Sequence, residues 1–208
     1  MIRYLLIGSS FALAAALQPG PLQVFYLSKV ADQGWRKTMP AAFAPLISDG
    51  PIALVAVLVV GQLPPNLWVG LQAAGGLLLL FLAASSLRSW QKHQENPPGQ
   101  GEETPRTVLQ AALVNLLNPN PYLAWSLVLG PAVLEAWTTR PIFALGLLMA
   151  FYGVMIAASL ILIRIMGTAS ALGPDTRRTL LLVSALLLAG LGLYFLGNAG
   201  WELALRLS

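Results

Sequence analysis

The chain has 208 residues, 57% of them hydrophobic and only 10% charged, with a mean hydropathy of +0.72. Its apolar runs are longer than a globular core helix needs, which places it in a membrane. The net charge of +4 does not point to nucleic acid, because the basic residues lie between apolar runs without a patch of interleaved aromatics. Without cysteine, and with His93 as its one histidine in a polar stretch, the chain offers no disulfide, thiolate metal site or thiol relay, and no metal or other cofactor is expected.

Runs of about 20 apolar residues predict an all-α, polytopic protein with six membrane spans. In chain order these are residues 4–28, 38–63, 67–90, 108–137, 141–168 and 179–205. The first run also resembles a secretory signal, with Arg3 ahead of it and Ala14-Ala15-Ala16 as a small-residue cleavage site. Cleavage there would delete half of the repeat described below.

Orientation follows from the basic residues. With the N-terminus outside, the inner loops and flanks hold Lys29, Arg36, Lys37, Arg88, Lys92, Arg106, Arg164, Arg177 and Arg178, against Arg3, Arg140 and Arg206 outside. That bias predicts both termini on the outer side. Arg164, near the end of the fifth span, is expected to snorkel to the inner interface. Trp35, Trp68, Trp90, Trp137 and Trp201 fall at predicted interfaces, as an aromatic belt would.

The first span carries Gln18-Pro19-Gly20-Pro21, and Asn118-Pro119-Asn120-Pro121 interrupts the fourth 100 positions later. A Pro-x-Pro step removes two backbone donors and crowds the carbonyls four residues earlier, so each helix should break there. Between the halves, residues 91–105 form the one long polar segment, read as a flexible inner linker. It separates residues 1–90 from 106–208. Because each half contributes an odd number of spans, the two must insert as inverted three-helix repeats with broken helices one and four.

Breaks in lipid must face protein or a water-filled path, so the substrate site is expected at the breaks. The prolines should free the carbonyls of Ala15, Leu17, Asn115 and Leu117 for an ammonium group, while half-helix N-termini just past each break suit a carboxylate. Gln18, Asn115, Asn118 and Asn120 add uncharged donors and acceptors, and Gly20 permits close approach. The plainer reading is that these amides satisfy the broken backbone. Tyr122, Trp125 and Tyr152 line a substrate path or else fill the core.

Asp49 is the one acid deep in a span, eleven residues in, or ~16 Å at the helical rise. An ionised carboxylate there calls for a partner, a water cavity or a proton, which makes it a candidate proton carrier. The competing reading is a neutral aspartic acid that glues helices together. Glu135 and Glu202 fall at outer helix ends.

A first helix ending in Gly20-Pro21, a second with Asp49 after a short basic loop, and a fourth with Asn118-Pro119 resemble the lysine exporter (LysE) and homoserine/threonine exporter (RhtB) family of amino-acid translocators. The likeness covers essentially the whole chain. It implies efflux of amino acids or similar small metabolites across a bacterial inner membrane, driven by protons or membrane potential. Gly20, Pro21, Asp49, Asn118 and Pro119 would be functional positions by that resemblance. The chain departs from the family pattern in its doubled Pro-x-Pro and at Asn120-Pro121, where members often carry a basic and a small residue. A less polar or differently charged solute fits that departure.

The reading is therefore a secondary transporter, not an enzyme. The solute would bind at Gln18, Gly20, Pro21, Asn115, Asn118, Pro119, Asn120 and Tyr152, and Asp49 would carry the proton. A passive channel or cation-selective pore, or a non-catalytic subunit of a membrane complex, is the competing class. The expected partners are a small solute, protons, the bilayer and a second copy in a homodimer, with no nucleic acid.

Overall fold

The computed structural model describes residues 1–58, 65–92, 104–170 and 173–207, and among these every regular element is helical. His93 and most of the predicted linker lie outside the described residues. Ten α-helices run in order: α1 Ile2–Leu17, α2 Pro21–Gln33, α3 Trp35–Thr38, α4 Ala44–Leu58, α5 Pro65–Lys92, α6 Thr104–Leu116, α7 Pro119–Ala124, α8 Gly130–Thr139, α9 Pro141–Ser170 and α10 Pro174–Leu207. A 3₁₀ turn, Met39–Phe43, joins α3 to α4, and a π-helical turn, Trp125–Leu129, joins α7 to α8.

Among the described residues four stretches are long and apolar enough to cross a membrane: Trp35–Ala56, Val69–Gln91, Pro141–Ala169 and Arg178–Leu205. The pair α1 and α2 makes a fifth if counted together, bent by 57°. The predicted fourth span is divided among α6, α7, the π turn and α8, of which the longest has 13 residues. Its prolines explain the division: Pro119 and Pro121 start a new helix, and Pro131 sits in the first turn of α8, where the missing donor costs nothing.

Helices in lipid gain little from excluding water and associate through close backbone packing instead. Here α5 packs along α10, α1 along α9, and α4 against α6. Small residues set those distances. A Cβ on Gly75 would run into the Leu117 carbonyl, and one on Gly8 into the Leu147 carbonyl. Cβ atoms on Gly76 and Gly192 would each meet the other's carbonyl oxygen, at 2.8 and 2.9 Å. Gly190 and Gly197 have nothing within 4 Å. Gly34 serves a different need: its φ of 88° turns the chain sharply from α2 into α3.

Two apolar clusters sit between these helices. One gathers Phe25, Tyr26, Val30, Leu79, Ile163 and Leu188, and the other Tyr4, Ile52, Tyr122, Leu147 and Phe151. Beyond the first cluster lies the end of the bundle that holds most of the basic residues. There Arg164 stacks on Trp35 at 4.4 Å and Arg178 on Trp90 at 5.0 Å. Gln33 Nε2 donates to Thr107 Oγ1 at 3.1 Å, and Ser28 to Ser86 at 3.1 Å. At the other end Arg3 pairs with Glu135 at 2.9 Å. Trp137 and Trp201 are exposed as a belt requires, while Trp35 and Trp90 are half-buried under their guanidinium groups. The side chains of Trp68, Arg177 and Arg206 lie outside the described set.

Candidate functional site

The two near-identical motifs break their helices in different registers. At the first, α1 ends at Leu17, Gln18 and Gly20 are extended, and α2 begins on the second proline, Pro21. At the second, Asn118 is extended and α7 begins on the first proline, Pro119. The residue between the prolines decides the difference. Asn120 enters the helix because its N–H is accepted by Asn118 Oδ1 at 3.2 Å, a side-chain cap that the first break lacks.

That geometry alters what the breaks offer. The Ala15 carbonyl is not left open: Gln23 Nε2 reaches back from α2 to Ala15 O and Ala16 O, each at 3.2 Å. The Asn115 carbonyl accepts from the Asn118 N–H at 3.2 Å, and that of Leu117 points at Gly75 of α5. Two of the four carbonyls expected to receive an ammonium, those of Ala15 and Asn115, therefore accept hydrogen bonds that hold the breaks together, and that of Leu117 is packed against α5. The N-terminus of α7 is likewise spent, since Pro119 and Pro121 have no N–H and Asn120's is capped.

Asp49, only 4% exposed, is held from the second half of the chain. Asn115 Nδ2 donates to Asp49 Oδ1 at 2.9 Å and to Ser48 Oγ at 2.8 Å, which uses both amide hydrogens. The Trp125 indole and Tyr152 phenol stand beside the same carboxyl. Pro51 inside α4 weakens that helix one turn beyond Ser48, beside the acid.

Between these elements lies a cavity of about 180 Å³. It is bounded by both breaks, by Asp49 on α4, by Trp125 and Leu129 of the π turn, and by Phe151, Met155 and Ser159 on α9. Of the residues singled out in the sequence, Gln18, Gly20, Asp49, Asn115, Asn118 and Asn120 line it. Pro21 and Pro119 are buried as the first residues of their helices, outside the lining, whereas Pro19 and Pro121 face the cavity. Tyr152 reaches Asp49 from behind the wall. A Cβ on Gly20 would meet only ordinary contacts at 3.5 Å or more, so the backbone does not demand glycine there; its absence of side chain leaves room in the cavity.

Three lining residues had no signal strong enough to single them out. Gln23 looked like an ordinary third residue of a helix, and its reach depends on the 57° bend. Ser159, buried beside Tyr26, was a single serine in an apolar span. Leu129 belongs to a π turn, a feature that proteins place disproportionately at functional sites.

A family model for the LysE type translocator matches residues 13–199, nearly the full chain and both breaks. The chain belongs to the LysE type translocator family. No curated protein and no solved structure matches it. Membership makes this chain a multi-pass membrane protein that moves small molecules, and translocators of this family are transporters rather than enzymes.

Proposed function

We propose that this translocator is a proton- or potential-coupled secondary transporter that exports amino acids or similar small metabolites across a bacterial inner membrane. The observation that carries the proposal is the cavity between two broken helices, with the buried carboxyl of Asp49 in its wall and held there by Asn115. The solute binds at the breaks, contacting Gln18, Gly20, Asn118 and Asn120, while Pro21 and Pro119 fix where each half-helix starts. Asp49 exchanges its proton as the site changes sides, and Tyr152 with Trp125 orients the carboxyl.

Six spans in two inverted repeats, residues 1–90 and 106–208, fit two of the closest helix packings. Exchanging spans one with four, two with five and three with six maps the α1–α9 contact onto that of α6 with α4, and the α5–α10 contact onto itself. Clustering of Arg164, Arg178 and the Gln33–Thr107 contact at one end supports an inner face there, with both termini outside. Under this reading Asp49→Asn, reconstituted in liposomes, folds but loses flux driven by an imposed pH gradient. Undiminished pH-driven flux of an amino-acid pool in that variant would refute the coupling role.

A further inference from the structure

Resting on that transporter reading, we propose that the cargo is an amino acid with an uncharged, apolar side chain about the size of leucine's. Its carboxylate lies at Asn118 and the start of α2, and its ammonium at Asp49 and Asn115. Two buried amides, each with one half unspent, carry the assignment. Asn115 and Asn118 line the cavity at 7% and 8% exposure. Asn115 gives its amide hydrogens to Asp49 and Ser48, so among the described residues its Oδ1 has no partner. Asn118 is turned the other way: its Oδ1 accepts the Asn120 N–H, and its Nδ2 has none. These bonds fix both orientations, because a backbone N–H can only donate and an ionised carboxylate can only accept. One end of the cavity therefore holds a free acceptor beside an acid, and the other a free donor.

Backbone completes the donor end. Helix α2 runs for 13 residues from Pro21, which has no N–H, and carries no side-chain cap, so the N–H groups of Leu22 and Gln23 stay open. Both residues line the cavity, and the positive end of the helix dipole adds to their pull on a carboxylate. The start of α7, by contrast, spends its donors on its own break. At the acceptor end the Asp49 carboxylate has roughly four acceptor directions, which leaves room for an ammonium beside the Asn115 amide. With both α-groups placed, nothing charged remains for a side chain. Asp49 is the one ionisable group among the described lining residues, and the remaining wall is Phe11, Leu129, Phe151 and Met155, with Ser159 its one hydroxyl. A second ammonium or carboxylate there would lose its hydration without gaining a counter-charge. At about 180 Å³ the space slightly exceeds the ~150 Å³ that holds a benzene ring, which suits one branched or aromatic side chain.

Norleucine and lysine share a carbon chain and differ at the terminal ammonium, whereas norleucine and norleucinamide differ at the carboxylate. At about pH 6.5 α-amino groups are protonated and α-carboxylates ionised. Norleucine should then raise the melting temperature of the purified protein at a concentration at least about tenfold lower than lysine or norleucinamide. It should also show the greatest counterflow of the three in proteoliposomes. Asn118→Asp keeps an oxygen to cap Asn120 but replaces the Nδ2 donor, so norleucine should lose its advantage over its amide. A folded variant that keeps this advantage, or a wild-type protein that takes norleucinamide as well as norleucine, overturns the carboxylate assignment. Lysine or glutamate bound or exchanged as well as norleucine overturns the side-chain assignment and leaves the transporter reading standing. Should Asn118→Asp misfold, the wild-type comparisons decide alone. If no member of a mixed amino-acid pool exchanges, the transporter reading fails with the cargo assignment.

Discussion

Buried polar residues in lipid are few because each needs a partner, and that made Asp49 and the amides of the breaks conspicuous in the sequence. The partner itself was less visible. Asn115 lies 66 positions from Asp49, and only the packing of α6 on α4 brings its amide to the carboxyl and to Ser48. The expectation that freed carbonyls would serve a solute meets a local competitor at Ala15: a side chain in the first turn of the next helix, Gln23, reaches that carbonyl. Asn115→Leu keeps the approximate volume but takes the amide donor away from both Asp49 and Ser48. It should lower stability by about 1–3 kcal/mol and weaken solute binding, as read by thermal unfolding of the purified protein with and without ligand. A Ser48→Ala change, which leaves the Asn115–Asp49 bond in place, should have a smaller effect on binding.

Helix breaks were legible from proline alone, but not the register in which each break unfolds into a new helix. The same Pro-x-Pro spacing yields a three-residue extended step at Gln18–Gly20 and a single extended residue at Asn118, because an asparagine can cap with its side chain and a glutamine at the matching position does not. The glycines divide in the same way: composition could not tell that Gly75 supports a break and Gly190 touches nothing. Gly75→Ala would push its methyl group against the Leu117 carbonyl and within 3.3 Å of Phe195. Backbone on one side leaves it nowhere to go, so the cost should be about 1–3 kcal/mol, with Asn118 displaced and solute affinity reduced. Gly70→Ala on the same helix meets nothing within 4 Å. That change should be neutral or stabilise by up to about 1 kcal/mol, since alanine favours a helix over glycine. Melting curves of the two variants side by side check the contrast, and equal destabilisation would mean that α5 does not buttress the break.

On the scale of the whole molecule, the cavity lies between two closures made of different chemistry. At one end Gln33, Thr38 and Thr107 form a buried hydrogen-bonded set joining α2, α3 and α6; at the other, the exposed pair Arg3–Glu135 ties α1 to α8. Both closures link the two halves of the chain, so a carrier that rocks one half against the other must open them in turn. A pore needs neither to move. The chain has no cysteine, so introduced pairs give a clean test. Gln33→Cys with Thr107→Cys, or Arg3→Cys with Glu135→Cys, can be joined by a short cleavable dithiol reagent in proteoliposomes. Under alternating access, bridging at either end should cut turnover at least about tenfold, and reduction should restore it. Because a bridge at one end leaves the other free, solute binding should survive in at least one bridged form even as flux stops. Flux that continues through both bridged forms would replace the rocking carrier with a continuous pore in which Asp49 selects cations without exchanging protons.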